Sequence, residues 1–285
     1  MYNFPIGAIL ESFKQSTPDA IKSAARIGAN GIQMYATKGE HAPENMNKEQ
    51  RRELLDMVKS EGLVFSALCG DLGKGFGHPE LNPELIDKSK RIIELALDLE
   101  TNIVTTHIGV VPVDPNHDRY KIMQEACYEL SRFADSMNAH FAIETGPETS
   151  AVLKGFLDSL GSTGVGVNLD PANLVMVTGD DPVKAVHNLK DYIVHTHAKD
   201  GNKLVDGNPE YIYGVTHPVP AEYKSTRYFE EVALGTGSVD FKNYLKALEE
   251  IGYKGFLTIE RECGSTPAAD IETAANYLRK IISEN

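Results

Sequence analysis

The amino-acid sequence predicts a single-domain α/β fold, a (β/α)8 TIM barrel running over residues 1–285. Three observations predict it. Eight short β-rich apolar runs recur along the chain, amphipathic helical stretches separate them, and those stretches exit through glycine. A chain of 285 residues is long for one core, but α/β barrels reach roughly 250 residues as one domain. An open doubly wound sheet shares the alternation, yet it favours a glycine fingerprint after its first strand. The first apolar run here leads instead into Glu11-Ser12-Phe13.

In chain order the expected strands are Ile6–Leu10, Gly31–Tyr35, Val64–Leu68, Ile103–Thr106, Phe141–Ile143, Val165–Leu169, Ile193–Thr196 and Gly255–Ile259. Between them, Ile122, Ala126, Leu130, Phe133, Ala134 and Met137 recur at helical spacing, as do Phe241, Leu245 and Leu248. Helix starts are marked by a capping residue and a proline at Thr17-Pro18, Asn82-Pro83, Asp181-Pro182 and Thr266-Pro267. Proline suits the first turn because its missing N–H would have no partner there. Asn47 with Gln50 resembles a capping box. Gly28, Gly62, Gly161 and Gly252 are expected as left-handed helix ends, and a last helix is expected over Ile271–Ile282.

Two strand-to-helix connections are long. Cys69–Leu81 is rich in glycine, and Ala198–Ser238, an insertion after the seventh strand, carries Tyr211, Tyr213, His217, Tyr223, Arg227, Tyr228 and Phe229. Long connections in compact domains serve as lids, interfaces or disordered segments. The aromatics favour a lid or subunit contact. Gly70–Gly77 lacks the Gly-Lys-Ser/Thr ending of a phosphate loop and reads as a mobile mouth loop.

Composition narrows the function. A hydrophobic content of 41% with 24% charged residues is that of an ordinary globular protein. No apolar run approaches the ~20 residues of a membrane helix, and MYNFPIGAIL lacks the basic start of a secretory signal. A cytoplasmic location is therefore expected. Cys69, Cys127 and Cys263 are widely spaced and read as reduced thiols. A net charge of −13 argues against nucleic acid as a partner and favours a small ligand.

Strand ends in a barrel converge on one mouth, where active sites sit. Four successive strands end in Ile143-Glu144, Leu169-Asp170, Thr196-His197 and Ile259-Glu260. Three carboxylates crowded together repel one another and resist desolvation. One divalent cation removes that cost. The plainer reading, a network paired with Lys and Arg, explains the choice of four good ligands less well. An oxygen-rich set with one imidazole suits Mn²⁺, then Mg²⁺ or Co²⁺, rather than structural zinc.

The motifs Glu144-Thr145-Gly146, Asn168-Leu169-Asp170-Pro171-Ala172-Asn173, His195-Thr196-His197-Ala198-Lys199-Asp200, Leu234-Gly235-Thr236-Gly237-Ser238-Val239-Asp240-Phe241 and Leu257-Thr258-Ile259-Glu260 resemble the xylose-isomerase-like superfamily. Within it they look like the sugar phosphate isomerase/epimerase group, related to ketose 3-epimerases. The resemblance implies a Mn²⁺-type ion on Glu144, Asp170, His197 and Glu260. It also implies that Glu144 and Glu260 carry out proton transfer, through an enediolate stabilised by the metal. Relatives of the endonuclease IV type hold three zinc ions with additional histidines. Asn173 stands where those enzymes, and many epimerases, carry histidine, which speaks against DNA repair and questions one substrate contact. Barrels of this group often pair through mouth loops, so a homo-oligomer is compatible.

Further candidates gather at the same mouth. His107, after strand four, is expected to touch substrate, as are Asn173, His195 and Lys199; His195 reads equally as a core histidine and Lys199 as a solvated loop lysine. Cys69 and Asp71 carry a weaker signal. His41, His78, His117, His140, His187 and His217 lack partners at ligand spacing and suit surface or packing roles. The leading expectation is a metal-dependent isomerase or epimerase of a keto-sugar. A lyase or dehydratase of a keto-sugar, inosose or 3-keto-glycoside is the alternative, and a non-catalytic metal-bound scaffold the third.

Overall fold

The computed structural model describes residues 2–215 and 218–284. Ten strands occur in chain order among these residues. They are β1 (Ile6–Ile9), β2 (Gly31–Tyr35), β3 (Val64–Cys69), β4 (Ile103–Thr106), β5 (His140–Glu144), β6 (Val165–Leu169), β7 (Ile193–Ala198), β8 (Asp200–Lys203), β9 (Phe229–Val232) and β10 (Leu257–Ile259). Eight of them close a parallel barrel in the order β1-β10-β7-β6-β5-β4-β3-β2. Closure pairs Ile6 with Leu257 and Ala8 with Ile259. The expected (β/α)8 barrel is the observed fold.

Strand limits differ modestly from the sequence expectation. β1 stops one residue early because Leu10–Phe13 turns into a 3-10 helix. β5 and β7 run on to Glu144 and Ala198, so that Glu144 and His197 lie inside strands rather than after them. Gly255 and Phe256 precede β10. Hydrophobicity marks where a strand is buried, but ladder hydrogen bonds decide where it ends.

Helices pack outside the barrel through their apolar stripes. Phe156, Phe241, Tyr244 and Ile93 are among the largest buried side chains. Asn47 and Gln50 form both halves of a capping box on Lys48–Ser60, and Asp181 caps Pro182–Asn188. At two other starts the cap moves. Ser16, not Thr17, accepts from Asp19 N before Thr17–Arg26, and no side chain caps Asn82–Asp98, because Leu81 holds the N-cap position and Asn82 is already inside the helix, its Nδ2 donating to Phe76 O at 3.1 Å. Gly28, Gly62, Gly161 and Gly252 all have positive φ, as left-handed helix ends require.

The barrel interior is unusually polar near its mouth. Gln33, Thr105, Asn168, His195 and His197 are all buried. The β2–β3 register shifts between Ile32 and Gln33, and the β6–β7 register shifts between Val167 and Asn168. Bulges of this kind re-aim side chains. Here each stands at an amide that reaches His197.

The segment after β7 is ordered by a hairpin, β8 against β9, and by the short helices Pro209–Ile212 and Ala221–Ser225. Tyr211, Tyr223 and Tyr228 pack ring on ring with centroids 5.0 and 5.2 Å apart. His217 lies outside the described residues. Among the described residues no helix is long and apolar enough to cross a membrane.

Candidate metal centre

Glu144 closes β5, Asp170 follows β6, His197 is the fifth residue of β7 and Glu260 follows β10. These four staves are neighbours in the barrel. All four side chains are buried, and one ligand atom from each lies within 4.8 Å of the others.

Each ligand is held from behind. Asp170 Oδ1 accepts from Ala172 N at 2.8 Å and Asn173 N at 3.0 Å, because the chain turns into a short helical turn there. Its backbone exchanges hydrogen bonds with Thr145: Asp170 N donates to Thr145 Oγ1, which donates to Asp170 O. Glu144 Oε1 accepts from Asn173 Nδ2 at 3.0 Å and Oε2 from Asn168 Nδ2 at 3.1 Å. His197 Nε2 lies 3.1 Å from Gln33 Oε1. A proton on Nε2, donated to Gln33, leaves the Nδ1 lone pair for a cation. Nδ1 faces the carboxylates, 3.1 Å from Glu260 Oε2, 3.5 Å from Glu144 Oε1 and 3.6 Å from Asp170 Oδ2.

The residues fit a divalent ion. Asp170 Oδ2 and Glu260 Oε2 are buried and accept no hydrogen bond among the described residues, although Lys199 Nζ stands 3.1 Å from Glu260 Oε2. Asp170 Oδ2, 3.6 Å from His197 Nδ1 and 4.0 Å from Lys199 Nζ, has no close donor among the described residues, which is costly inside a protein, whereas Glu260 Oε2 meets both nitrogens at 3.1 Å. Burial pushes the Asp170 carboxyl up. Burial also opposes charge on Glu260, but Lys199 and His197 outweigh it and hold that carboxyl well below its usual range. Burial disfavours imidazolium at His197, yet Glu144 and Glu260 raise it well above the ordinary value. The cluster therefore gathers positive charge wherever it can, as a site with excess acceptor oxygens must.

The cluster opens onto a cavity of about 440 Å³, walled by Tyr35, Cys69, Met176, Tyr213, Arg227 and Phe229 among others. A family model described as xylose isomerase-like TIM barrel matches residues 21–281. The chain belongs to that family.

Several proteins are similar in sequence or fold to this xylose isomerase-like barrel. It is 23% identical over 260 residues to an uncharacterised protein of Methanocaldococcus jannaschii, covering 87% of this chain and 80% of that one. A Haemophilus influenzae protein assigned the name L-ribulose-5-phosphate 3-epimerase is 23% identical, covering 82% of this chain and 79% of that one. Inosose dehydratase of Clostridium beijerinckii is 24% identical over 59% of this chain and 55% of its own length. Among solved structures, a xylose isomerase domain protein from Planctomyces limnophilus superposes with a TM-score of 0.79 at 23% identity, covering 99% and 98% of the two chains.

The other mouth candidates separate on inspection of this family member. Lys199 is buried, not solvated, and its Nζ reaches Glu262 at 2.8 Å as well as Glu260. Burial disfavours its charge, but Glu260 and Asp170 hold the ammonium well above its ordinary value. His107 lines the cavity, with Nδ1 3.2 Å from Asp71 Oδ2 and Nε2 3.6 Å from Glu144 Oε1. Asn173 lines it too. His195 is fully buried below His197, ring centroids 6.0 Å apart, and both its nitrogens lack hydrogen bonds among the described residues; burial holds it neutral. Cys69 and Cys127 are buried, Cys263 is exposed, and all three are free thiols. His117 caps a helix, its Nδ1 accepting from Arg119 N at 3.1 Å, and His187 pairs with Glu250.

Sequence reasoning assigned no role to Gln33 or Asn168. The available signal was periodicity: Asn168 precedes Asp170 by two residues and so shares its face, and Gln33 is a lone amide inside an otherwise apolar run.

Proposed function

We propose that the chain is a divalent-metal-dependent isomerase or epimerase that moves a proton next to the carbonyl of a keto-sugar. The buried quartet Glu144, Asp170, His197 and Glu260, opening onto a polar cavity, carries this reading. Mn²⁺ suits the oxygen-rich donor set best, with Mg²⁺ and Co²⁺ next. When bound, such an ion would polarise the carbonyl and acidify the neighbouring C–H.

The chain's own residues would do the rest. Glu144 and Glu260 stand on the two outer staves of the four-strand arc, so one carboxylate removes the proton and the other returns it from a different side. Asn168 and Asn173 fix the Glu144 carboxylate by both oxygens. Lys199 supplies a permanent cation beside Glu260 for a developing oxyanion. From the cavity wall His107 would meet substrate hydroxyls, and Asn173, whose amide nitrogen is held by Glu144 and Thr145, would offer its amide oxygen as an acceptor. His195, sealed beneath His197, would act through packing. Three free thiols suit a reducing, cytoplasmic setting.

A lyase or dehydratase is the second reading. The Lys199 ammonium, poised between Glu260 and Glu262, favours it, since it could assist a departing oxygen. Proton NMR of a ketose, inosose and 3-keto-glycoside panel in D2O with Mn²⁺-loaded protein tests both. Deuterium next to a carbonyl with a rearranged sugar supports the isomerase. An unsaturated product with released water or alcohol establishes the lyase instead. No change in any substrate, at full metal occupancy, counts against both.

A further inference from the structure

The glycine-rich segment Gly70–Gly77, expected as a mobile mouth loop, supplies none of the four ligands and is anchored at Phe76. Phe76 N donates to Ile108 O at 2.9 Å, and Asn82 Nδ2 holds Phe76 O. The segment walls a second cavity of about 400 Å³, which shares Asp71, His107 and Tyr213 with the first. His107 stands between the two, its Nδ1 toward Asp71 and its Nε2 toward Glu144.

This second cavity is built around Arg119. Its Nε donates to Val110 O at 3.2 Å, which fixes the plane of the guanidinium. The guanidinium lies against Gly77 and Gly109, where an added Cβ would stand 3.0 Å from it. Gly109 and Gly75 have φ of 90° and 61°, and a Cβ on Gly75 would come within 2.6 Å of Ile108 O. Two glycines, Gly77 and Gly109, therefore make room for one guanidinium, while Gly75 lets its loop close on the Ile108 backbone. Arg119 is half-buried, and burial disfavours its charge while Glu210 favours it. Its Nη donors meet no carboxylate at ion-pair distance among the described residues. Of the residues lining the cavity only Asp71 is acidic, and it is engaged by His107; Lys74, exposed at the rim, adds a second cation. Among the lining residues Arg119 and Lys74 thus outnumber the single acid, in a chain of net charge −13.

We infer that this cavity is a subsite for an anionic group of the substrate, a carboxylate or a phosphate, gripped by the Arg119 fork. The guanidinium matches either anion with two parallel N–H donors. The inference rests on the keto-sugar reading of the adjoining cavity: with the reacting carbons over the quartet, the far end of the molecule passes His107 and reaches Arg119.

Two measurements on Mn²⁺-loaded protein test it. Titration calorimetry with inorganic phosphate and with acetate needs no turnover. Arg119→Ala should weaken binding of one of these anions roughly 10- to 100-fold, and Lys74→Ala by a smaller factor. Which anion responds identifies the source. Equal binding to wild type and Arg119→Ala overturns the inference. Arg119→Lys keeps the stem and charge but loses the fork, and serves if the alanine variant fails to fold. The second measurement is D2O exchange with a ketose, its phosphate and a keto-acid of equal length. Arg119→Ala should lower the ratio of kcat/KM for the anionic over the neutral substrate. An unchanged ratio overturns the subsite and leaves the keto-sugar reading standing. Anion binding that depends on Arg119, with no exchange in any sugar, does the reverse.

Discussion

His197 is positioned by residues far away in sequence. Gln33 Oε1, at 3.1 Å, holds the ring nitrogen that faces away from the carboxylates. Outer partners of this kind typically contribute 10- to 100-fold to metal affinity. Gln33→Leu is expected to raise the Mn²⁺ dissociation constant by about that factor, read by calorimetry; an unchanged constant would remove Gln33 from the site. Glu260→Gln keeps the shape of a ligand but not the base, so D2O exchange should fall by about 10²- to 10⁴-fold with the fold intact. Full exchange at unchanged metal content would sink the acid/base role. Glu148 tests electrostatics away from the quartet. Its carboxyl is buried, accepts among the described residues only from Val111 N at 3.4 Å, and burial pushes it up from 4.5 to about 8. Between those pH values the folded chain binds more protons than the unfolded one, so this group's contribution to stability falls as pH rises and levels off above about 8. Glu148→Gln removes that loss and should stabilise the protein at pH 8.5 by up to roughly 5 kcal/mol, an order-of-magnitude figure, with little change near pH 4. Equal melting shifts at both pH values would contradict the buried-acid account.

At the scale of the element, Asp200 governs the long connection after β7. Its Oδ1 accepts from Gly201 N and Val239 N, and its Oδ2 from Gly235 N and Gly237 N. The run Leu234-Gly235-Thr236-Gly237-Ser238-Val239 therefore wraps a carboxylate, and a methyl on Gly237 would overlap it. On the partner strand, at the same open end of the hairpin, Glu231 Oε1 pairs with Arg261 Nη1 at 2.6 Å, and its carboxylate accepts from Glu262 N and Cys263 N. These two acids strap the hairpin across the mouth, bringing Phe229 and Arg227 to the cavity. Asp200→Ala leaves several buried N–H groups without acceptors and should cost about 3–5 kcal/mol. Thermal melting with limited proteolysis over 204–228 would show it. Melting as in the wild type would mean that the hairpin is held elsewhere.

At the scale of the molecule, a closed barrel places four ligands from four neighbouring staves on one arc, while their helices pack independently outside. A metal would tie those staves at the mouth. Mn²⁺ at about 100 times its dissociation constant should add roughly 2.7 kcal/mol to stability, and a chelator should remove it. Identical melting with and without Mn²⁺ would argue against a resident ion. The two cavities share Asp71, His107 and Tyr213 at one end of the barrel.

The fold and the quartet were legible because both depend on local pattern. Apolar alternation marks the strands, glycine marks the helix exits, and a strand's last residue must face the mouth, so Glu144, Asp170, His197 and Glu260 stood out one strand at a time. Lys199 shows where that reasoning ends: position after a strand does not say whether a side chain meets water or Glu260 and Glu262. Only the tertiary structure brought Gln33 to His197, 164 residues away, and set Arg119 against glycines from two different loops. The first contact depends on barrel closure and on the bulge at Gln33, and the second on two loops meeting, a long-range registration that the periodicity of a single segment does not encode.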